Sequence, residues 1–159
     1  NTIALKYFHN VWIMPNPGDC GNSLGAALSH VQKPVIWPGP YIGTDIAYPY
    51  PVDACITELN TNKMVGVASG RAEFGPRALG HRSLLADPRG HDIKDQVNEI
   101  KRRQKFRPFA PAILEEHLHE YFEINTNSSP YMQFVGQCKQ PDKFPAIVHV
   151  DGTSRIQTV

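Results

Sequence analysis

The 159 residues, 41% of them hydrophobic, suffice for one ordinary domain with a core, or for one domain and part of a second, and they exclude a wholly disordered chain. Sixteen basic against fifteen acidic residues give a net charge of +1, which is not the polycation of a dedicated nucleic-acid binder. The average conceals a division: residues 71–107 hold ten basic against five acidic side chains, a net +5, and the rest of the chain carries −4. Cys20, Cys55 and Cys138 are odd in number, widely spaced and without a Cys-x-x-Cys pair. That pattern excludes a disulfide scaffold and a zinc ribbon and makes a reducing cytoplasm the default setting. No stretch reaches the roughly 18 apolar residues of a membrane span, and none resembles a signal peptide. The chain opens on Asn1 and runs to Val159 on a strand-like pattern, which reads as an incomplete fragment.

In chain order, residues 7–14 are rich in aromatic and β-branched types and meet the breakers Pro15, Pro17 and Gly18, which predicts a strand ending in a loop. A helix follows, capped by Asn22 or Ser23, with Leu24, Ala27, Leu28 and Val31 on its apolar face and Pro34 as its stop. Five prolines and two glycines between Pro34 and Pro51 suit a stiff, extended linker and place a domain boundary there. Val52, Cys55, Ile56 and Leu59 then mark a short amphipathic helix leading to a turn at Asn60, Thr61 and Asn62, and residues 64–68 read as a buried strand. The segment from Gly70 to Gly80, with three glycines and Pro76, reads as irregular, and Asp87-Pro88-Arg89-Gly90 as a turn. Asp92 caps a helix whose face is Ile93, Val97 and Ile100 and whose last turn holds Lys101, Arg102 and Arg103. A further helix is expected over residues 111–123, and strands over 131–136, 146–150 and 155–159. Mixed strands and helices make the fold α/β (α+β mixed), with a sheet covered on at least one face.

The chemistry concentrates in residues 70–83, where Arg71, Arg77 and Arg82 alternate with glycines and lead to Ser83. Glycines let the backbone approach a ligand, and the guanidinium fork matches phosphate oxygens two at a time. The loop is therefore a candidate phosphate cradle, although a solvated basic loop has the same composition. It is neither a Walker loop nor a dinucleotide fingerprint. A second basic cluster runs from Lys101 to Arg107. Cations at a helix C-terminus are favoured by the macrodipole alone, but Arg107, between Phe106 and Pro108-Phe109, calls for an anionic partner. A third candidate is residues 149–155, where Asp151-Gly152 forms a hairpin turn before Arg155. His117 and His119, two apart on a helix, do not form a zinc pair. Asp19, beside Gly18 and Cys20 at a helix start, is a turn former or a metal or nucleotide contact.

The stretch from Gly70 to Arg89 closely resembles the signature of NodU/CmcH-type O-carbamoyltransferases, and the match continues through residues 106–111, 130–132 and 149–159. Residues 15–27 look like the end of that family's other domain. The resemblance implies an actin-like ATPase (ASKHA) domain followed by a YrdC-like one, a twisted mixed sheet flanked by helices. Residues 1–33 would be the last strand and helix of the actin-like domain, 34–51 the linker, and 52–159 a truncated YrdC-like domain. It implies that carbamoyl phosphate and ATP, with Mg2+, form carbamoyl adenylate and release pyrophosphate. The upstream actin-like domain of the same polypeptide, holding divalent iron or a similar ion, would pass the carbamoyl group to a small-molecule hydroxyl acceptor. By motif position, Arg77, Lys101, Arg107 and Arg155 are the catalytic contacts to carbamoyl phosphate or nucleotide phosphates. Arg71, Arg82, Ser83, Asp151 and Gly152 are further substrate or nucleotide contacts, and Asp19 is the metal ligand. His81 and Lys105 depart from the family's usual Asn and Gly. Further metal-binding histidines are expected upstream of Asn1 and a Ser-x-Asn ATP-binding segment after Val159, so the fragment should not run the full reaction alone. The alternative is an RNA-binding module on a YrdC-like fold, which Phe74, Phe106 and Phe109, embedded in Pro/Gly motifs, do not favour.

Overall fold

A computed structural model describes all of residues 1–159. Its strands form three small sheets, and the chain is a mixed α/β structure. The helices are α1 (Asn22–Val31), α2 (Val52–Asn62), α3 (Ile93–Ile100) and the single turn α4 (Leu118–Tyr121). Strands β1 (Tyr41–Ile46) and β3 (Gly70–Glu73) pair antiparallel, as do β2 (Met64–Ala68) and β4 (Arg82–Ala86). The third sheet has the order β5-β8-β7-β6, from β5 (Ala112–Ile113), β6 (Phe122–Glu123), β7 (Phe134–Cys138) and β8 (Thr153–Thr158). Only the β5–β8 pair is parallel.

Strand alternation divides the roles of β8. Ile156 is fully buried in a core with Leu118, Phe122, Ile124, Phe134, Cys138 and Ile147, and Ser154 and Thr158 share its face of the strand. Arg155 and Gln157 point the other way, toward the Gly70–Arg82 segment. A smaller core of Ile93, Val97 and Ala146, backed by Met64, Leu84 and Phe109, seats α3.

Several sequence expectations give way to tertiary pairing. Residues 111–123 are not one helix. Gln157 N–H donates to Pro111 O (2.9 Å), Val159 N–H to Ile113 O (3.0 Å) and Glu115 N–H to Val159 O (3.0 Å), so the edge of β8 captures residues 111–115 as β5. A 3₁₀ turn at Glu115–His117, α4 and β6 follow. The segment from Gly70 to Gly80 is not irregular throughout, because β1 gives its first four residues a partner; β1 itself is the proline-free interval within 34–51. Residues 7–14 form no strand. They have no strand partner, and Val11 and Ile13 pack on the larger core while Gln133 Nε2 donates to Met14 O (2.7 Å). The expected strand at 146–150 is a 3₁₀ turn at Pro145–Ile147, because both edges of β7 are already taken.

Smaller differences lie at helix ends. Gly21, not Asn22 or Ser23, is the N-cap of α1, and no side chain caps it. The helix α2 runs through the expected turn to Asn62 and stops at Lys63 in the left-handed region. Lys101, Arg102 and Arg103 lie just beyond α3. The apolar face foreseen for α1 exists, but none of its residues is buried.

Two outcomes test this arrangement. Ile156→Ala, which empties a fully buried position, is expected to cost about 2–5 kcal/mol of unfolding free energy in a urea titration. Asp87 ends β4 and is held by Arg89 (2.7 and 2.8 Å) and, more weakly, Lys63 (3.7 Å). The Arg89 hydrogen bonds bring its pKa from 3.8 down to about 2. A depressed folded-state pKa contributes stability that is fully present above the ordinary value and lost as pH falls toward 2. Unfolding followed against pH should show this acid loss, and Asp87→Asn should flatten it while lowering stability at neutral pH.

Candidate anion-binding site

Three segments converge around the face of β8 that carries Arg155. The first is the loop between β3 and β4, folded back on the Glu73 carboxylate. Glu73 Oε1 accepts from the N–H groups of Leu79 (2.7 Å), His81 (2.9 Å) and Arg82 (3.2 Å). Partial burial pushes the Glu73 pKa up, but these donors outweigh it and hold the group below the ordinary carboxylate range. The loop is then pinned to its surroundings through one carbonyl. Leu79 O accepts from Gln157 Nε2 (3.1 Å) and from the Tyr41 hydroxyl (3.1 Å). Arg77 projects from this loop with no partner except its neighbour's carbonyl, Pro76 O (3.4 Å).

The second segment is β8, which contributes Arg155 two residues before Gln157. The third is the turn after α3. A pocket of about 640 Å³ opens there, lined by Glu99, Arg102, Arg103, Gln104, Lys105 and Arg107, with no hydrophobic side chain. Asn98, fully buried on α3, organises this turn. Its Nδ2 donates to Lys105 O (3.1 Å) and Arg107 O (3.0 Å), and its Oδ1 accepts from Arg103 Nε. The Arg103 guanidinium lies over the Phe109 ring, 4.4 Å from its centre.

The electrostatics tie the three segments together. Arg155 is half-buried; loss of hydration, followed by the charges of Arg77 and Arg103, lowers its pKa. Burial and then the charge of Arg107 lower that of Arg103. Arg77, Arg155, Arg103 and Arg107 thus form a chain of mutually repelling cations, and none of them forms a salt bridge. Such a cluster is stabilised by a bound anion, and arginine suits a phosphate oxygen pair.

Of the residues singled out in the sequence, Arg77 acts by its charge on Arg155, and Arg107 acts on Arg103, which in turn acts on Arg155. Lys101 sits at the C-terminus of α3, exposed, with only its backbone N–H engaged. Arg82 is used differently: its guanidinium donates to the carbonyls of Ser69 (2.9 Å), His81 (2.7 Å), Thr44 (2.9 Å) and Gly70 (3.1 Å). It clamps β1, β3 and β4 through both terminal nitrogens, which leaves neither of them for a substrate. Arg71 Nη2 bonds Ile42 O (3.2 Å), and Ser83 Oγ accepts from Gly80 N–H (2.9 Å). Asp151 Oδ1 accepts from both the N–H and the hydroxyl of Thr153 (3.0 and 2.7 Å), which lowers its pKa and shapes the turn foreseen there. Gly152 has φ +80°, and a Cβ there would run into the Gln137 amide. Its place in the motif is therefore explained by backbone geometry. His81 stacks on Tyr41 with ring centres 4.1 Å apart, and its Nδ1 meets Arg71 O (2.8 Å).

Asp19 is one exposed carboxylate on a 3₁₀ turn, Asp19–Gly21, and no group of three or more His, Cys, Asp or Glu side chains suited to a metal occurs in the chain. Asp19 thus offers a single carboxylate to a divalent ion.

The family model for the carbamoyltransferase C-terminus matches residues 56–159, which include every arginine of the cluster. The chain belongs to the carbamoyltransferase C-terminus family. It is also similar to nodulation protein U of Sinorhizobium fredii (40% identical), nodulation protein U of Rhizobium tropici (42%) and nodulation protein NolO of Bradyrhizobium diazoefficiens (38%). Each comparison covers 96% of this chain but only 30%, 29% and 33% of the relative, so the chain spans about a third of the length of these proteins.

Within this member of the family, sequence reasoning gave no role to Asn98 or Glu73 and set Arg103 only among the Lys101–Arg107 cluster. A lone Asn beside the apolar Val97, and an Arg two residues before Lys105, carry little signal, although a polar side chain on a buried helix face must find partners. Glu73 is the more telling omission, since it is the one acid within the Gly70–Ser83 stretch. Replacing it with Ala leaves three N–H groups without their acceptor and is expected to cost about 2 kcal/mol in urea unfolding, with Glu73→Gln, which keeps one acceptor oxygen, closer to the parent protein.

Proposed function

We propose that this chain is the carbamoyl-activating part of an ATP-dependent O-carbamoyltransferase. In this role it binds carbamoyl phosphate and ATP and forms carbamoyl adenylate, and an upstream actin-like domain passes the carbamoyl group to a hydroxyl of a small-molecule acceptor. The observation that carries the proposal is the unpaired set Arg77, Arg103, Arg107 and Arg155, with the family membership beside it. Water cleaves carbamoyl phosphate to carbamate and inorganic phosphate, a carbamate oxygen bonds to the α-phosphorus of ATP, and pyrophosphate leaves. Every species is an anion, and ATP arrives with Mg2+. Fixed cations that neither take nor give protons are suited to holding two such substrates together and to stabilising the charge on the departing pyrophosphate. Arg155, half-buried and short of hydration, gains most from an anion. The charges of Arg77, on the loop, and of Arg103, on the turn after α3, both act on it.

The two-domain assignment, with residues 1–33 belonging to the transfer domain, is part of the same proposal. So is a cytoplasmic setting, which the three free cysteines support. An RNA-binding role is less well supported. Of the three aromatics among the basic residues, Phe74 is half-buried and Phe109 is covered by Arg103, which leaves only Phe106 open for stacking.

Carbamoyl-phosphate-dependent exchange of labelled pyrophosphate into ATP, measured on the full-length protein, is the direct test. Arg77→Ala and Arg155→Ala should each reduce exchange at least about tenfold, as expected for loss of a charge-assisted contact. Exchange that is absent in the parent, or indifferent to both changes, would sink the proposal; a salt-steep affinity for RNA exceeding that for ATP would favour the alternative.

A further inference from the structure

We propose that Asn98 is the positioning residue of the anion site and that it acts through Arg103, which contacts the ligand. The inference rests on the anion-activating role proposed above only for the identity of the anion. Asn98 is completely buried, and a buried carboxamide is costly unless its groups are paired. All of its side-chain hydrogen bonds go to one short segment. Both bonds from Nδ2 end on the carbonyls of Lys105 and Arg107, and Oδ1 receives Nε of Arg103. The backbone adds Arg103 N–H to Asn98 O at 3.0 Å. One side chain therefore fixes the path of the chain beneath Arg107 and the orientation of Arg103 together.

The arrangement leaves Arg103 oriented but not neutralised. Its Nε is used by Asn98, its face is used by Phe109, and Nη2 reaches Pro108 O only at 3.4 Å. Nη1 has no hydrogen-bond partner, and Arg107 and Arg155 are the charges that act on and from this group. A carboxylate at position 98 would accept from Arg103 Nε but would cancel its charge and would have no donor for the Lys105 and Arg107 carbonyls. A carboxamide orients the fork and keeps the full positive charge for an incoming anion. A lysine in place of Arg103 would keep the charge and lose both the Nε contact and the planar stack.

Arg103→Lys and Asn98→Asp in the full-length protein separate these roles. Affinity for pyrophosphate is measured at equilibrium, with KM for carbamoyl phosphate and kcat from the exchange reaction and folding followed by thermal melting. Arg103→Lys should weaken pyrophosphate binding and raise KM at least about tenfold, with a smaller change in kcat and a still cooperative melt at a modestly lower temperature, since Asn98 Oδ1 loses its donor. Asn98→Asp should weaken binding and raise KM likewise while lowering the melting temperature, because both Nδ2 donors are lost. The binding loss of the double variant should be no worse than that of the more impaired single variant, since the two residues act as one unit. An Arg103→Lys variant that binds pyrophosphate like the parent, or two losses that multiply in the double variant, would overturn the inference. Should the position-98 change prevent folding, Arg103→Lys decides alone, because it alters a partly exposed side chain that the melting curve can certify. If the parent binds pyrophosphate with the expected Arg103 dependence but catalyses no exchange, the proposed reaction fails and the assignment of Asn98 stands.

Discussion

Four guanidinium groups linked by charge in a chain from Arg77 through Arg155 and Arg103 to Arg107, with no carboxylate bonded to any of them, are the constraint on which the rest of this structure depends. Like charges in a partly dehydrated setting push apart, so the scaffold must supply the force that keeps Arg77, Arg103, Arg107 and Arg155 assembled. It does so with neutral groups and backbone amides. Glu73, the one acid in the Gly70–Ser83 motif, is turned inward onto three N–H groups, and its charge serves to close a loop without quenching a neighbouring cation. Asn98 supports the other side in the same spirit.

The two flanks meet at β8, which is why so short a strand bears so much of the sequence signature. One face inserts Ile156 into the main core and thereby fixes the strand in depth. The other presents Arg155 and Gln157, and Gln157 reaches across to Leu79 O, so the register of the strand sets the distance between Arg155 and the Arg77 loop. A single-residue slip would exchange the two faces and bury a guanidinium in the core.

The family was more legible in the sequence than the shape. Arg77, Arg107 and Arg155 could be picked out because each stands in a distinctive motif, and the helices α1, α2 and α3 because each has an apolar period or a breaker at its end. The strands were harder. β1 and β3 are strands because they find each other across a separation that no local pattern records, and β5 exists because β8 passes beside residues whose own preference is helical. Arg82 shows the limit of motif reasoning in the opposite direction: a guanidinium inside a phosphate-like sequence can be consumed by four carbonyls of its own chain. Asn98 and Glu73 escaped notice because what distinguishes them is the set of partners, not the residue type or the spacing.

The pinning of Leu79 has a further consequence for how the site behaves. That carbonyl is tied to β8 and β1 at once, and the loop behind it is closed on Glu73, so Arg77 and Arg155 stand on a fixed wall. The facing residues 101–107 hang from α3 by the Asn98 tether and a few turn bonds, with Arg102 in the left-handed region at φ 49° and Phe106 open to solvent. Two strands thus hold the Arg77 loop, whereas a single helix side chain holds most of the path of residues 101–107.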